Sequence, residues 1–457
     1  MPNIDDYLQS QADRFEAELC EFLTIPSVSA EPARSGEVRR AAGWVAEQFR
    51  RLEFATELIE TEGHPLVYAE SAPVAGLPTA LVYGHYDVQP VDPIELWTSP
   101  PFTPTLRDGS LFARGATDDK GQMLTHLKSA EAWMRVEGRL PINLKFIIEG
   151  EEEVGSQALE KFIAENAERL ACDCVVVSDS AQFARNRPAI TYGLRGIAYF
   201  ELKLTGPRRD LHSGSFGGSV TNPANALAGM LAALIDGSGK VRVPGFYDDV
   251  VPLTERERNE FDALGFDEQE FFRQLDVDGA VGEEGYTTLE RRWARPTYDI
   301  CGLSSGYQND GAKTILPASA SGKFSFRLVP NQDPAKITAA LRARLTELCP
   351  PGVKMELIEW HASPGVLVPP DSPYVAAAAR AIEHAFDVPP VYTREGGSIP
   401  IVTTFHETLK VDTLLLGWGQ DDDNAHSPNE KFALVDFHRG IKASARLWHE
   451  LAQLSGG

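Results

Sequence analysis

Two kinds of hydrophobic spacing alternate along the first part of the chain. Residues 36–51 (GEVRRAAGWVAEQFRR) space their apolar positions as a helix does, and 79–83 (TALVY) is an apolar run of strand length. Residues 120–135 (KGQMLTHLKSAEAWMR) return to helical spacing, and strands are predicted at 142–148 and 174–177. Strands separated by helices predict an α/β fold, a mostly parallel sheet sandwiched by helices.

The pattern changes after about residue 195. Ala198, Phe200, Leu202 and Leu204 alternate with other residues, as do Phe324, Phe326 and Leu328, and 353–360 (VKMELIEW) is a third extended piece. With helices predicted at about 223–235 and 334–347, strand–helix–strand order occurs twice, which predicts a ferredoxin-like α+β layer covered on one face. The acidic stretch 247–296 exceeds what such a layer needs and reads as helical decoration. Near residue 390 the doubly wound pattern returns, ending in the strand DTLLLG and a helix over 434–454. One sheet domain, residues 1–194 and 387–457, is therefore expected to be interrupted by an insertion at 195–386. The length fits: 457 residues is about three times the ~150-residue expectation for one domain.

Charge narrows the partners. The chain has 43 basic and 66 acidic residues, a net charge of −23, which argues against nucleic acid and against an anionic membrane surface. No run approaches the ~18 apolar residues of a membrane span. The N-terminus is acidic and amphipathic, without the basic and apolar regions of a signal peptide. Five cysteines, an odd number in so long a chain, do not suggest a disulfide framework. A soluble protein in the reducing cytoplasm is the expectation.

Part of the acidity is placed as chemistry would place it. His85 and Asp87 follow the strand TALVY, Glu151 to Glu153 follow INLKFII, Asp179 follows CVVV, His426 follows TLLL, and Asp118 and Asp119 open a helix. In open α/β sheets the site lies at the carboxyl ends of the strands, so distant segments would deliver these groups to one rim. Taken singly each piece is weak, since three acids in a row suit a solvated face and Asp118–Asp119 suits a helix N-cap. Together they suit two divalent ions, zinc first, with manganese or cobalt as alternatives. Two such ions bring +4 against −3 from Asp118, Glu153 and Asp179, with His85 and His426 neutral, and the remainder predicts a bridging hydroxide. Asp87 is close enough in sequence to hold the other nitrogen of His85. Glu152 would move the proton from the bridging water to a leaving amine.

These segments, GHYDVQP (84–90), RGATDDKG (114–121), EGEEEVGS (149–156), SDS (178–180) and AHSPNEK (425–431), resemble the co-catalytic di-zinc metallopeptidase family of carnosinase and cytosolic non-specific dipeptidase, with aminoacylase and glutamate carboxypeptidase relatives. The resemblance continues through TYGLRG, DLHSGSFGGSV, GAKTILP, GKFSFRLVP and TREGGSIP. It implies that Asp118 bridges two metals, that His85 and Asp179 complete one and Glu153 and His426 the other, and that the Asp118–Asp119 peptide is cis. Aspartate at position 179, where other members have glutamate, implies a dipeptidase or aminopeptidase.

The resemblance also reaches the insertion. His212 would stabilise the oxyanion across a homodimer, Arg327 would bind the substrate's C-terminal carboxylate, and Thr314 and Ser398 would add polar contacts. The insertion is thus expected to be a lid and dimerisation domain. The function expected is hydrolysis of dipeptides or very short peptides. An N-acyl-amino-acid or acyl-diamine amidohydrolase using the same metals is the alternative, and a non-catalytic scaffold relative the second; the scaffold would have lost a ligand or Glu152, and none is lost here.

Overall fold

The computed structural model describes residues 2–456, which form two compact units. Residues 1–192, 368–393 and 400–457 make the first and residues 193–367 with 394–399 the second. No helix among the described residues is long and apolar enough to cross a membrane, and all five cysteines are free thiols.

The sheet of the first unit runs in the order Ala55–Ile59, Leu66–Glu70, Asn143–Glu149, Thr79–His85, Cys174–Val177, Asp412–Gly417, Ala189–Leu194, with Val391–Glu395 also pairing with Ala189–Leu194. Four strands at its centre, Asn143–Glu149, Thr79–His85, Cys174–Val177 and Asp412–Gly417, are parallel, and the flanks are antiparallel. The parallel strands read as continuous apolar runs because both their faces are covered. Val82, Phe146, Val176 and Leu414 pack with the helices Ser35–Arg50, Lys120–Glu137, Pro373–Phe386 and Leu434–Ala452. Alternate residues turn to the other side, where Tyr83 meets Phe405 of the helix Pro400–Leu409 with ring centroids 5.7 Å apart.

The helix Lys120–Glu137 is buried on every side over its first fourteen residues. It starts against the backbone: a Cβ on Gly121 would lie 2.0 Å from the Ala116 carbonyl oxygen, so only glycine fits behind the loop that carries Asp118.

In the second unit an antiparallel sheet runs Thr297–Ser305, Ser319–Leu328, Gly196–Thr205, Lys354–Ser363. With the helices Pro223–Ala232 and Pro334–Leu348 this is the ferredoxin-like arrangement expected. Its first strand has no counterpart in the sequence reading. The acidic stretch forms three short helices, Glu255–Ala263, Glu268–Gln274 and Thr288–Ala294, two of them started by capping boxes at Thr254/Glu257 and Thr287/Glu290. Within it Arg295 and Glu283 form a buried pair, at 2.6 and 2.8 Å.

The second unit begins at residue 193, close to the expected 195, but ends at 367 rather than 386. The helix Pro373–Phe386 belongs to the first unit because Ala377, Ala378, Ala381 and Ile382 are buried in its core, and Arg380 binds Glu450 of the C-terminal helix at 2.6 Å. The return segment 394–399 rejoins the second unit.

Candidate metal centre

Four parallel strands end on one rim, and each hands over a polar residue there. His85 closes Thr79–His85 and is fully buried. Asp179 lies two residues after Cys174–Val177, Glu153 in a turn at Glu152–Val154 after Asn143–Glu149, and His426 in the loop after Asp412–Gly417. Asp118 comes from the segment before the helix Lys120–Glu137, and its peptide with Asp119 is cis. Its two oxygens face different histidines: Oδ1 is 3.1 Å from His85 Nε2, and Oδ2 is 2.8 Å from His426 Nε2. His85 Nε2 is also 4.0 Å from Asp179 Oδ2, and His426 Nε2 is 3.2 Å from Glu153 Oε2. Two donor triads that share Asp118 result, His85–Asp118–Asp179 and Asp118–Glu153–His426, each with its ligand atoms within 4.8 Å of one another.

The donors are held by neighbours. Asp119 occupies the N-cap position of the helix but does not cap it; its Oδ2 instead accepts the His85 amide at 3.2 Å. Asp87 differs in part from expectation. His85 Nδ1 meets the Asp87 main-chain oxygen at 3.1 Å, with the carboxylate further off at 3.4 Å. The carboxylate oxygens themselves accept the amides of Glu152 and Glu153, at 3.3 and 3.2 Å. Asp87 thus fixes the turn that presents Glu153, whose Oε2 also accepts from Gln89 Nε2 at 2.7 Å.

Glu430, fully buried, organises the segment before Asp118. One oxygen accepts the amides of Thr117 and Asp118 at 3.0 and 3.1 Å; the other accepts Gly115 N–H at 2.9 Å and Arg114 Nη1 at 2.7 Å.

So many carboxylates in one buried place perturb one another. Burial, then the charges of Asp179, Glu153 and Asp118, push Glu152 up to about 9, and burial with Asp118 pushes Asp179 up to about 7. Asp118 behaves oppositely: although burial opposes it, hydrogen bonds from His426 and His85 hold it well below the usual carboxylate range. His426 is raised to about 10 by its bonds to Asp118 and Glu153. The cluster draws positive charge. Imidazole nitrogens and carboxylate oxygens in two triads sharing one carboxylate are the donor chemistry that a pair of divalent cations takes, and the residues fit it.

The profile of Peptidase family M20/M25/M40 matches residues 81–450. The chain belongs to Peptidase family M20/M25/M40. It is 34% identical to the Cys-Gly metallodipeptidase of Schizosaccharomyces pombe over 466 residues, covering 98% of each chain. The crystal structure of human carnosine dipeptidase 1 superposes with a TM-score of 0.82 at 33% identity, covering 98% of both chains. An M20 family metallo-carboxypeptidase from Sulfolobus solfataricus gives 0.84 at 34% identity, over 96% of this chain and 99% of that one.

In this M20 chain the structure brings His85, Asp87, Asp118, Glu152, Glu153, Asp179 and His426 together in the first unit. His212, Thr314 and Arg327, named from the insertion, and Ser398, named from beyond it, all lie in the second unit and form two pairs. His212 pairs with Ile315 beside Thr314, whose carbonyl accepts the Ser213 amide at 3.1 Å. His212 Nδ1 accepts the Gly214 amide at 3.1 Å, which leaves the proton on an exposed Nε2. Arg327 Nη1 donates to Ser398 Oγ at 3.2 Å. The sequence reading missed Glu430 and Asp119 as supports. Glu430 stands within the quoted AHSPNEK, four residues beyond His426, and that proximity was the available signal.

Proposed function

We propose that this chain is a metallodipeptidase acting on the amide bond of dipeptides or very short peptides. The observation that carries the reading is the Asp118 carboxylate set between His85 and His426, with Asp179 and Glu153 completing two triads beside Glu152. Full-length likeness to the Schizosaccharomyces pombe Cys-Gly metallodipeptidase and to the human Beta-Ala-His dipeptidase, 34% identical over 480 residues, supports it.

His85, Asp118 and Asp179 would hold one divalent ion and Asp118, Glu153 and His426 a second, with zinc, manganese or cobalt compatible with these donors. Bound there, the ions supply Lewis acidity toward the scissile carbonyl and lower the pKa of water. Glu152 takes the proton of the attacking water and returns it to the leaving amine. Asp87 keeps Glu152 and Glu153 in register through their amides. His212, through Nε2–H, stabilises the developing oxyanion from the partner subunit of a homodimer, and the second unit serves as lid and dimer interface. Arg327, with Ser398 and Thr314, binds the substrate's polar end. Five unpaired thiols suit a reducing, cytoplasmic setting.

Metal analysis of the purified protein, followed by turnover of a panel of dipeptides, tri- to pentapeptides and N-acetyl and N-succinyl amino acids, tests the reading. About two ions per chain and the highest kcat/KM on dipeptides are expected. Equal or greater activity on the acyl substrates would sink it, and a preference for longer peptides would assign the chain to carboxypeptidase work instead.

A further inference from the structure

Buried arginines in this chain are as a rule matched to carboxylates: Arg114 to Glu430 at 2.7 Å and Arg295 to Glu283 at 2.6 Å. Two half-buried arginines of the second unit break that rule. Arg327, on the sheet face opposite Phe326 and Leu328, bonds Ser398 Oγ. Arg195, between the strands Ala189–Leu194 and Gly196–Thr205, donates Nε to the Gly396 carbonyl at 2.9 Å and Nη1 to the Arg295 carbonyl at 3.4 Å. Among the described residues neither guanidinium forms an ion pair, in a protein with 66 acids.

The two cations feel each other. Burial and then Arg327 lower Arg195 to about 10, while Asp299 and Glu395 pull the other way without ion-pair contact. His361 is likewise held below its ordinary value by burial and by Arg327. Arg195 also packs on the loop it bonds: a Cβ on Gly396 would lie 3.1 Å from Arg195 Nη2 and 2.9 Å from the Arg292 carbonyl oxygen. Like charges brought together and left unpaired while partly desolvated are unfavourable until an anion joins them, and a guanidinium pair suits a carboxylate.

We propose that Arg195 is a second cation for the substrate's carboxylate: it fixes the Gly396–Ser398 loop so that Ser398 stays on Arg327, and its unneutralised charge selects substrates ending in a free carboxylate over their amides. The inference rests on the peptidase reading only for the choice of substrate, since N-acyl amino acids end in the same group.

Steady-state kinetics of the wild type, Arg195→Gln and Arg195→Lys on a dipeptide and its C-terminal amide test it. The Gln variant should lose at least about tenfold more kcat/KM on the free acid than on the amide, mostly through KM, and Lys should recover part of that difference. Equal losses on both substrates, which leave the acid-to-amide ratio unchanged, would reduce Arg195 to loop support and overturn the proposal. If the wild type cleaves an N-acyl amino acid and no dipeptide, the dipeptidase reading fails while the same ratio, measured on that substrate and its amide, still judges Arg195. Thermal shifts with L-alanine against L-alaninamide give the selectivity without turnover: a stabilisation by alanine that Arg195→Gln abolishes is expected, and one it leaves intact counts against the proposal.

Discussion

The division of labour among the acids is sharpest for single residues. Glu153 and Glu152 are neighbours on one turn, yet only Glu153 lies within reach of His426, at 3.2 Å. Glu152→Gln should therefore leave metal content unchanged and cut turnover by about 10²- to 10⁴-fold; a variant with near-normal turnover would remove Glu152 from proton transfer. Glu430 makes a different demand, because its oxygens absorb three amides and a guanidinium that have no water to turn to. Glu430→Ala leaves Arg114 buried and unpaired, and a loss of about 3–5 kcal/mol in denaturant unfolding is expected. Metal affinity, measured by chelator competition, should fall about 10–100-fold. A folded Glu430→Ala protein with normal metal affinity would contradict that role. Four of the five donors were legible in the sequence because each follows an apolar strand, and Asp118 because it stands just before a helix of clear apolar spacing. Glu430 was not, since its partners are mostly main-chain amides some 312–316 residues away that no spacing rule connects to it.

Among the elements, the buried helix Lys120–Glu137 carries the clearest pH signature. His126 lies within it, hydrogen-bonded to Ser178 Oγ at 2.8 Å and Ser444 Oγ at 3.0 Å, and burial lowers it from 6.5 to about 3. The unfolded chain binds a proton here below about pH 6.5 and the folded chain does not, so this stability is present above the unfolded value and lost as pH falls from there toward 3. One group can contribute at most about 1.4 kcal/mol per pH unit. Unfolding free energies from pH 7 to 5 should therefore decline less steeply in His126→Gln than in wild type; parallel slopes would mean that His126 takes up its proton in the fold. Periodicity found this helix and most of the apolar strands. It missed Thr297–Ser305 because that edge strand is exposed over much of its length, and a bulge between Ile300 and Gly302 breaks its alternation. The expected boundary at 386 also left the residues of Pro373–Phe386 in the insertion, because an amphipathic helix does not announce which core its apolar face will join.

For the molecule as a whole, the −23 charge and the proposed metals act together. Ligands that bind only the folded state add about 2.7 kcal/mol at a hundred times their Kd, so chelation should lower Tm and zinc or manganese restore it; a Tm indifferent to chelator would count against the metal reading. Shared sites make a further demand. Mixing His212→Ala with Glu152→Gln and allowing subunits to exchange should recover up to about a quarter of wild-type turnover, since half of the dimers would carry one complete site; no recovery would place His212 in its own subunit's site or in none. The link from Asp118 to Glu430 also spans 312 residues and the whole insertion. At about 5–20 residues per second a ribosome needs roughly 15 to 60 s to cover that distance. Until the C-terminal segment emerges, the growing chain has neither His426 nor the brace on Asp118, so a nascent or truncated product lacks one of the two metal triads. The reactive centre is completed only once synthesis has passed Glu430.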